Sequence, residues 1–435
     1  MEENKKMLIE EKIHKDISSI HRSRKIKEKS KKIKLEKYLK KTANKIKEKI
    51  SKINSGIKTK NKNTTQIVKK PRNPGIDLFR LIAMYFVVLN HFLSHGGGFR
   101  KYSQYKRQLI LLHSFTAWHN DGFALISGIV GYKTNKYSNL LYLWITVFFY
   151  SVGIHIYITK YKHFRVRENI NVEFYPIIFE RYWYFSEYFG MYLFLPVINK
   201  GIESLNKNEL KLVVMSILGI FVIWRDYKNP KKDIFRLKYG YSVLWLLSLY
   251  LTGAYIGKYH VIYSGLKKCI YCFICLFIYS FISYTYYKVY FDELYLGDGY
   301  YQKELVSLLK NMLNERFDAL LFVVQSITVC LVFMQLNYNK YFAKIICFLG
   351  PLAFGIYLIH IHPLMLTHIL AHIYDRDPRN LSLKKTMILV FTKPLKIVCL
   401  CMAIDYCRHL LFTFLRLRNI FIFLEQNLVK LMNYI

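Results

Sequence analysis

Asp77, Arg80 and His91 lie inside an otherwise apolar run from Ile76 to Leu93. A carboxylate, a guanidinium and an imidazole are unfavourable inside an apolar helix unless each has a partner or a task. Arg80 and His91 are eleven positions apart, about three turns at 3.6 residues per turn, so they share one face. Asp77, Met84, Val87 and His95 fall in the same stripe, which spans roughly 27 Å at a 1.5 Å rise. A guanidinium at one end can hold an anionic group such as a phosphate. Asp77, one turn earlier, can fix its rotamer. A neutral imidazole about 16 Å further along can act as a general base, or take an acyl group itself.

Such a stripe needs elements to hold it, and the composition says which. The chain has 435 residues, 53% of them apolar and 17% aromatic, yet a formal charge of +37. These facts reconcile if charge is concentrated outside apolar spans. Residues 1–74 hold 25 basic and 8 acidic residues, with Tyr38 the lone aromatic. The reading is an all-α, polytopic membrane protein behind a basic N-terminal tail. The charge invites a nucleic-acid partner, but no aromatics are interleaved with the lysines for base stacking. A solvated cytoplasmic tail that also meets anionic lipid headgroups is the favoured reading.

Apolar runs of suitable length give about ten transmembrane helices: 76–95, 112–131, 139–158, 179–198, 210–224, 241–257, 268–287, 317–336, 343–363 and 384–405. Gly350 and Pro351 interrupt the ninth. Three regions follow. Residues 1–74 are the Lys-rich tail, with an amphipathic helix read over Lys25 to Ile53. Residues 75–405 are the membrane domain. Residues 406–435 interleave Leu, Phe and Ile with Arg416, Arg418, Glu425 and Lys430, as an interfacial amphipathic segment does. The first 70 residues hold no continuous apolar run, so no cleavable signal peptide is read. With so much positive charge the N-terminus is placed in the cytoplasm, and the protein in the cell membrane. Eight cysteines all lie in or beside apolar segments. Cys269, Cys272 and Cys275 drift around a helix axis without a neighbouring histidine or carboxylate, so they read as buried hydrophobes and no metal site is assigned.

Other motifs extend the pattern of the first helix. The stretch Gly75-Ile-Asp77-Leu-Phe-Arg80-Leu-Ile-Ala83 leads, with ten residues between the arginine and the imidazole, to His91. Phe123-Ala-Leu-Ile-Ser127-Gly128, Trp183-Tyr184-Phe185-Ser186-Glu187-Tyr188 running on to Pro196, Leu251-Thr-Gly253-Ala254-Tyr255, and Gly355-Ile-Tyr357-Leu358-Ile-His360-Ile-His362-Pro363 follow in order. These five landmarks resemble the acyltransferase-3 family over about residues 75–405. The resemblance is to the subgroup that O-acetylates surface polysaccharides. It implies acetyl-CoA as donor substrate, with a hydroxyl of a polysaccharide or glycolipid as acceptor. It places Arg80 and His91 in the catalytic set, to which the reading of the residues themselves adds Asp77 and Glu187. Where many relatives carry an Arg-x-x-Arg pair this chain has Lys133 and Lys136, point charges without a bidentate fork. With Arg80, they are the residues assigned to the cofactor.

Glu187 is a candidate to orient His91 or bind a sugar hydroxyl. Tyr184, His360 and His362 are assigned to the acceptor; His362 stands where relatives often carry Trp. The imidazoles near Pro363 also suit a helix end, where they satisfy free carbonyls. His119 and Asp121 read as interfacial, and the many tyrosines as belt and core. The rival class is a transporter or flippase using the Arg/His stripe as a solute path. Such proteins usually carry internal repeats with paired broken helices, and none is evident in this sequence. Acyl-CoA, a glycan or glycolipid acceptor and membrane lipids are the expected partners.

Overall fold

The computed structural model describes residues 72–134, 136–164, 166, 169–224, 233–291, 300–312, 316–378 and 380–432. The tail and its expected amphipathic helix lie outside them. All regular structure among the described residues is helical. The longer helices are α1 (Pro74–Ser94), α2 (Lys106–Thr116), α3 (His119–Gly131) and α4 (Tyr137–Ile156), then the short α5 (Asn171–Phe174). They continue with α6 (Trp183–Ser204), α7 (Lys207–Leu218), α8 (Val243–Tyr259), α9 (Gly265–Phe291), α10 (Tyr300–Met312) and α11 (Leu320–Gln335). The chain closes with α12 (Lys340–Leu349), α13 (Ala353–His360), α14 (Pro363–His368), α15 (Leu383–Phe414) and α16 (Leu417–Met432).

Each of the ten expected spans falls on a helix. Among the described residues five helical segments are long and apolar enough to cross a membrane: 74–94, 137–161, 265–289, 340–360 and 383–414. Leu320–Gln335 is apolar but shorter. Two boundaries differ from the sequence reading, and one expected break is present. The expected span 112–131 is two helices, because Ala117 N–H closes α2 on the His113 carbonyl and Gly122 N–H opens α3 on that of Trp118. The interruption expected at Gly350 and Pro351 is a tight turn over Gly350 to Leu352 between α12 and α13, since Pro351 has no N–H to continue an α-helical ladder. The last span runs on to Phe414. Arg408 donates from Nε and Nη2 to the two oxygens of Asp405, both at 2.9 Å. A charge paired within its own helix does not mark the helix end, so the amphipathic segment begins only at Leu417. No residue of α16 is buried. Its Glu425 carboxylate accepts the free N–H groups of Tyr137 (2.7 Å) and Ser138 (3.2 Å) at the start of α4, where negative charge is favourable.

The helix carrying the stripe starts where its sequence dictates. Asn73 Oδ1 accepts from Gly75 N at 2.8 Å, Pro74 occupies the first turn, and Asp77 adds negative charge there. α1 is central: it packs on α3, α11, α12, α13 and α15.

Two landmarks far apart in sequence meet between α3 and α8. A Cβ at Gly128 would sit 2.0 Å from the Tyr250 carbonyl oxygen, and one at Gly253 would sit 2.1 Å from that of Leu125. Small residues let these backbones touch, as in membrane helix pairs generally. Gly128→Ala and Gly253→Ala are each expected to destabilise the protein by about 1–3 kcal/mol through overpacking. The readout is the melting temperature of the detergent-purified protein. Wild-type melting for both variants would contradict the close crossing.

Candidate active site

Asp77 organises one part of the site. It is 2% exposed and accepts from Arg72 Nε (2.5 Å), Arg72 Nη2 (2.7 Å) and Arg80 Nη1 (2.8 Å). The break in the α12–α13 segment makes room for it: a Cβ at Gly350 would lie 2.6 Å from Asp77 Oδ1. A guanidinium has five N–H donors, and among the described residues Arg80 directs one of them to Asp77. The Arg80 side chain is partly open and lines a cavity of about 390 Å³.

That cavity follows the α1 stripe. Arg80, Met84 and Val87 form the α1 wall, with Gly350, Pro351 and Tyr357 beside them. Gly131, Thr134 and Asn139 also line it, next to the loop bearing Lys133 and Lys136. Both lysines are exposed and neither lines the cavity. Lys133 Nζ sits 5.6 Å from the Tyr132 ring centre, and the Lys136 carbonyl accepts from Tyr192 Oη at 2.9 Å.

The opposite wall comes from α6. Tyr184, Tyr188, Tyr192 and Leu195 all line the cavity. A spacing of four residues keeps three phenols on one helix face. Tyr184 is expected from sequence at the acceptor, whereas Tyr188 and Tyr192 read as belt and core; the shared spacing is the available signal for them. Among the described residues the Tyr184 hydroxyl oxygen is buried in this largely apolar lining without a hydrogen-bond partner.

The cavity wall reaches Val87 and Tyr357, one turn before His91 and His360 respectively. Those two imidazoles meet: His91 Nδ1 lies 3.1 Å from His360 Nε2, with ring centres 5.3 Å apart. His360 is fully buried, and its Nδ1 lies 2.6 Å from the Ile356 carbonyl oxygen. His91 is half-buried, and the exposed His95 ring stands edge-on to it at 5.5 Å. The stripe therefore holds an arginine in a cavity wall and an imidazole pair one turn beyond that wall.

Other candidates lie elsewhere. The Glu187 carboxylate stands 3.9 Å from Lys238 Nζ; the side chain placed against His91 is that of His360. His362 is fully buried. Its Nδ1 accepts from Leu364 N at 3.2 Å, capping α14, and its Nε2 lies 3.3 Å from Glu173 Oε2. It belongs to a buried cluster in which Ser151 Oγ donates to Glu173 Oε2 (2.6 Å) and Arg181 donates to both Glu173 oxygens. This cluster, not the cavity, is where the residue expected at the acceptor is found. His119 contacts Asn120 at 3.0 Å, and Trp245 Nε1–H donates to Asp121 at 3.1 Å. His119 and Asp121 are both buried among protein side chains.

Glu173→Ala removes the carboxylate that Arg181 and Ser151 share. Breaking a buried ion pair on one side costs about 3–5 kcal/mol. The variant should melt well below the wild type in detergent; an unchanged melting temperature would show that the cluster does not hold α5 and the start of α14 in place.

A comparison with sequence models of known families matches residues 73–404 to a family described as an acyltransferase domain. No curated protein and no solved structure matches the chain.

Proposed function

We propose that this chain, which belongs to the acyltransferase-3 family, moves an acetyl group from acetyl-CoA to a hydroxyl of a surface or secreted polysaccharide or glycolipid. The family and the apolar helices make it a multi-pass membrane acyltransferase. The acetyl donor and the glycan acceptor rest on the resemblance of the five landmarks. The observation that carries the site assignment is the cavity that includes Arg80 and stops one turn short of His91.

In this reading the N-terminus is cytoplasmic in the cell membrane, and acetyl-CoA enters from that side. Arg80, held by Asp77, meets a phosphate with its remaining donors. Lys133 and Lys136 add positive potential near the entrance. The thioester arm lies along the wall of Tyr184, Tyr188 and Tyr192. At the far end His91 takes the proton of the acceptor hydroxyl as that oxygen bonds to the thioester carbonyl carbon. The carbon–sulfur bond then breaks, and the departing thiolate takes the proton from His91. General-base help of this kind contributes about 10²–10⁴ in rate.

Transfer of labelled acetyl from acetyl-CoA to membrane glycans tests this. His91→Ala should lower the rate by about 10²-fold or more. Arg80→Ala removes hydrogen bonds from a charged group, each worth about 1.5–3 kcal/mol, and should raise KM for acetyl-CoA by roughly tenfold or more. Equal labelling by wild type and both variants would refute the assignment.

A further inference from the structure

The contacts around His360 determine which nitrogen of His91 does the chemistry, given the reading above that His91 is the base. A carbonyl oxygen only accepts hydrogen bonds. The Ile356 carbonyl lies 2.6 Å from His360 Nδ1, so that nitrogen carries the hydrogen. A neutral imidazole has one N–H and one lone pair, which leaves His360 Nε2 as an acceptor. His91 Nδ1, at 3.1 Å, must then be the donor. The lone pair of His91 is left on Nε2, which makes no hydrogen bond to the protein among the described residues.

The geometry points to His360 as a positioning residue that holds His91 in the Nδ1–H tautomer, so that Nε2 is the base. The order of bonds is Ile356 carbonyl, His360 Nδ1–H, His360 Nε2, His91 Nδ1–H, His91 Nε2. The partner of one ring nitrogen sets the state of the other. In serine-protease triads a carboxylate does this, and an amide in its place lowers kcat by about 10⁴ through the wrong tautomer. Here an imidazole takes the carboxylate's part, and a backbone carbonyl of α13 fixes the imidazole.

The arrangement also explains the burial of His360. It is fully buried, has both ring nitrogens engaged, and is not among the residues lining the cavity. That departs from the acceptor-binding role expected from sequence. An acceptor ligand needs a free polar atom facing open space, and His360 offers none.

Nitrogen-15 NMR of histidine-labelled protein, together with transfer kinetics, tests the relay. The spectrum of wild type, with His91 assigned through His91→Ala, should show His91 protonated at Nδ1 and bare at Nε2. In His360→Leu the two tautomers of His91 should mix, and kcat should fall by about 10²-fold while KM for acetyl-CoA stays within about twofold. His360→Gln keeps an acceptor near the Nε2 position and should recover at least a tenfold part of the loss. It also serves as the reading variant if the leucine protein does not fold. A wild-type His91 protonated at Nε2, or a tautomer unmoved by either substitution, would overturn the relay. Full activity of His360→Leu where His91→Ala is inactive would overturn its catalytic importance. Activity in His91→Ala would instead refute the base assignment, with the spectra still deciding the tautomer.

Discussion

An ionised side chain in an apolar bundle must be met by opposite charge or by hydrogen bonds, because isolating it there is strongly unfavourable. This structure meets that demand repeatedly, and the solutions locate its working parts. Asp405 and Arg408 answer each other within α15, with Tyr150 Oη adding a bond at 2.7 Å. Glu173 is answered by Arg181, Ser151 and His362. Asp77 is held between Arg72 and Arg80. In the first two clusters every charged group is enclosed. In the third, Arg80 turns part of its guanidinium toward a cavity, and that incompleteness separates a site from a structural ion pair.

The same contrast holds for histidines. His362 and His360 are two residues apart and both fully buried, yet they serve different ends. One ties α14 to Glu173, the other faces His91. The turn at Gly350–Pro351 contributes at a distance, since the missing side chain at Gly350 admits the Asp77 carboxylate. Backbone irregularity and charge placement are thus one arrangement: the helix break frees the space, Asp77 fills it, and Arg80 is aimed by Asp77.

Much of this could be read from residue spacing. The stripe of Asp77, Arg80 and His91 follows from helical periodicity alone, and the apolar helices follow from the length of the apolar runs. What spacing cannot supply is which elements touch. Nothing local to His360 indicates that its ring meets His91, because that pairing depends on how α13 packs on α1. The end of the last span, read at residue 405, lies further on because Arg408 is paired with Asp405 inside the same helix. The tyrosines of α6 are the opposite case. Their four-residue spacing was in plain view, but a cavity wall and a packed core share that pattern, and only the packing tells them apart. The Gly128 and Gly253 motifs were legible as landmarks without any sign that they press against each other.

The reading under test is that the acyl donor occupies the cavity beside Arg80 and reaches from its far end, one turn away, to His91. A cryo-electron microscopy structure with a thioether analogue of acetyl-CoA tests it directly, because the analogue cannot transfer its group. The account predicts a phosphate within hydrogen-bond distance of Arg80, the arm beside Tyr184 and Tyr188, and the acyl end next to His91 Nε2. Density for the analogue outside this cavity, or an acyl end remote from His91, would contradict it.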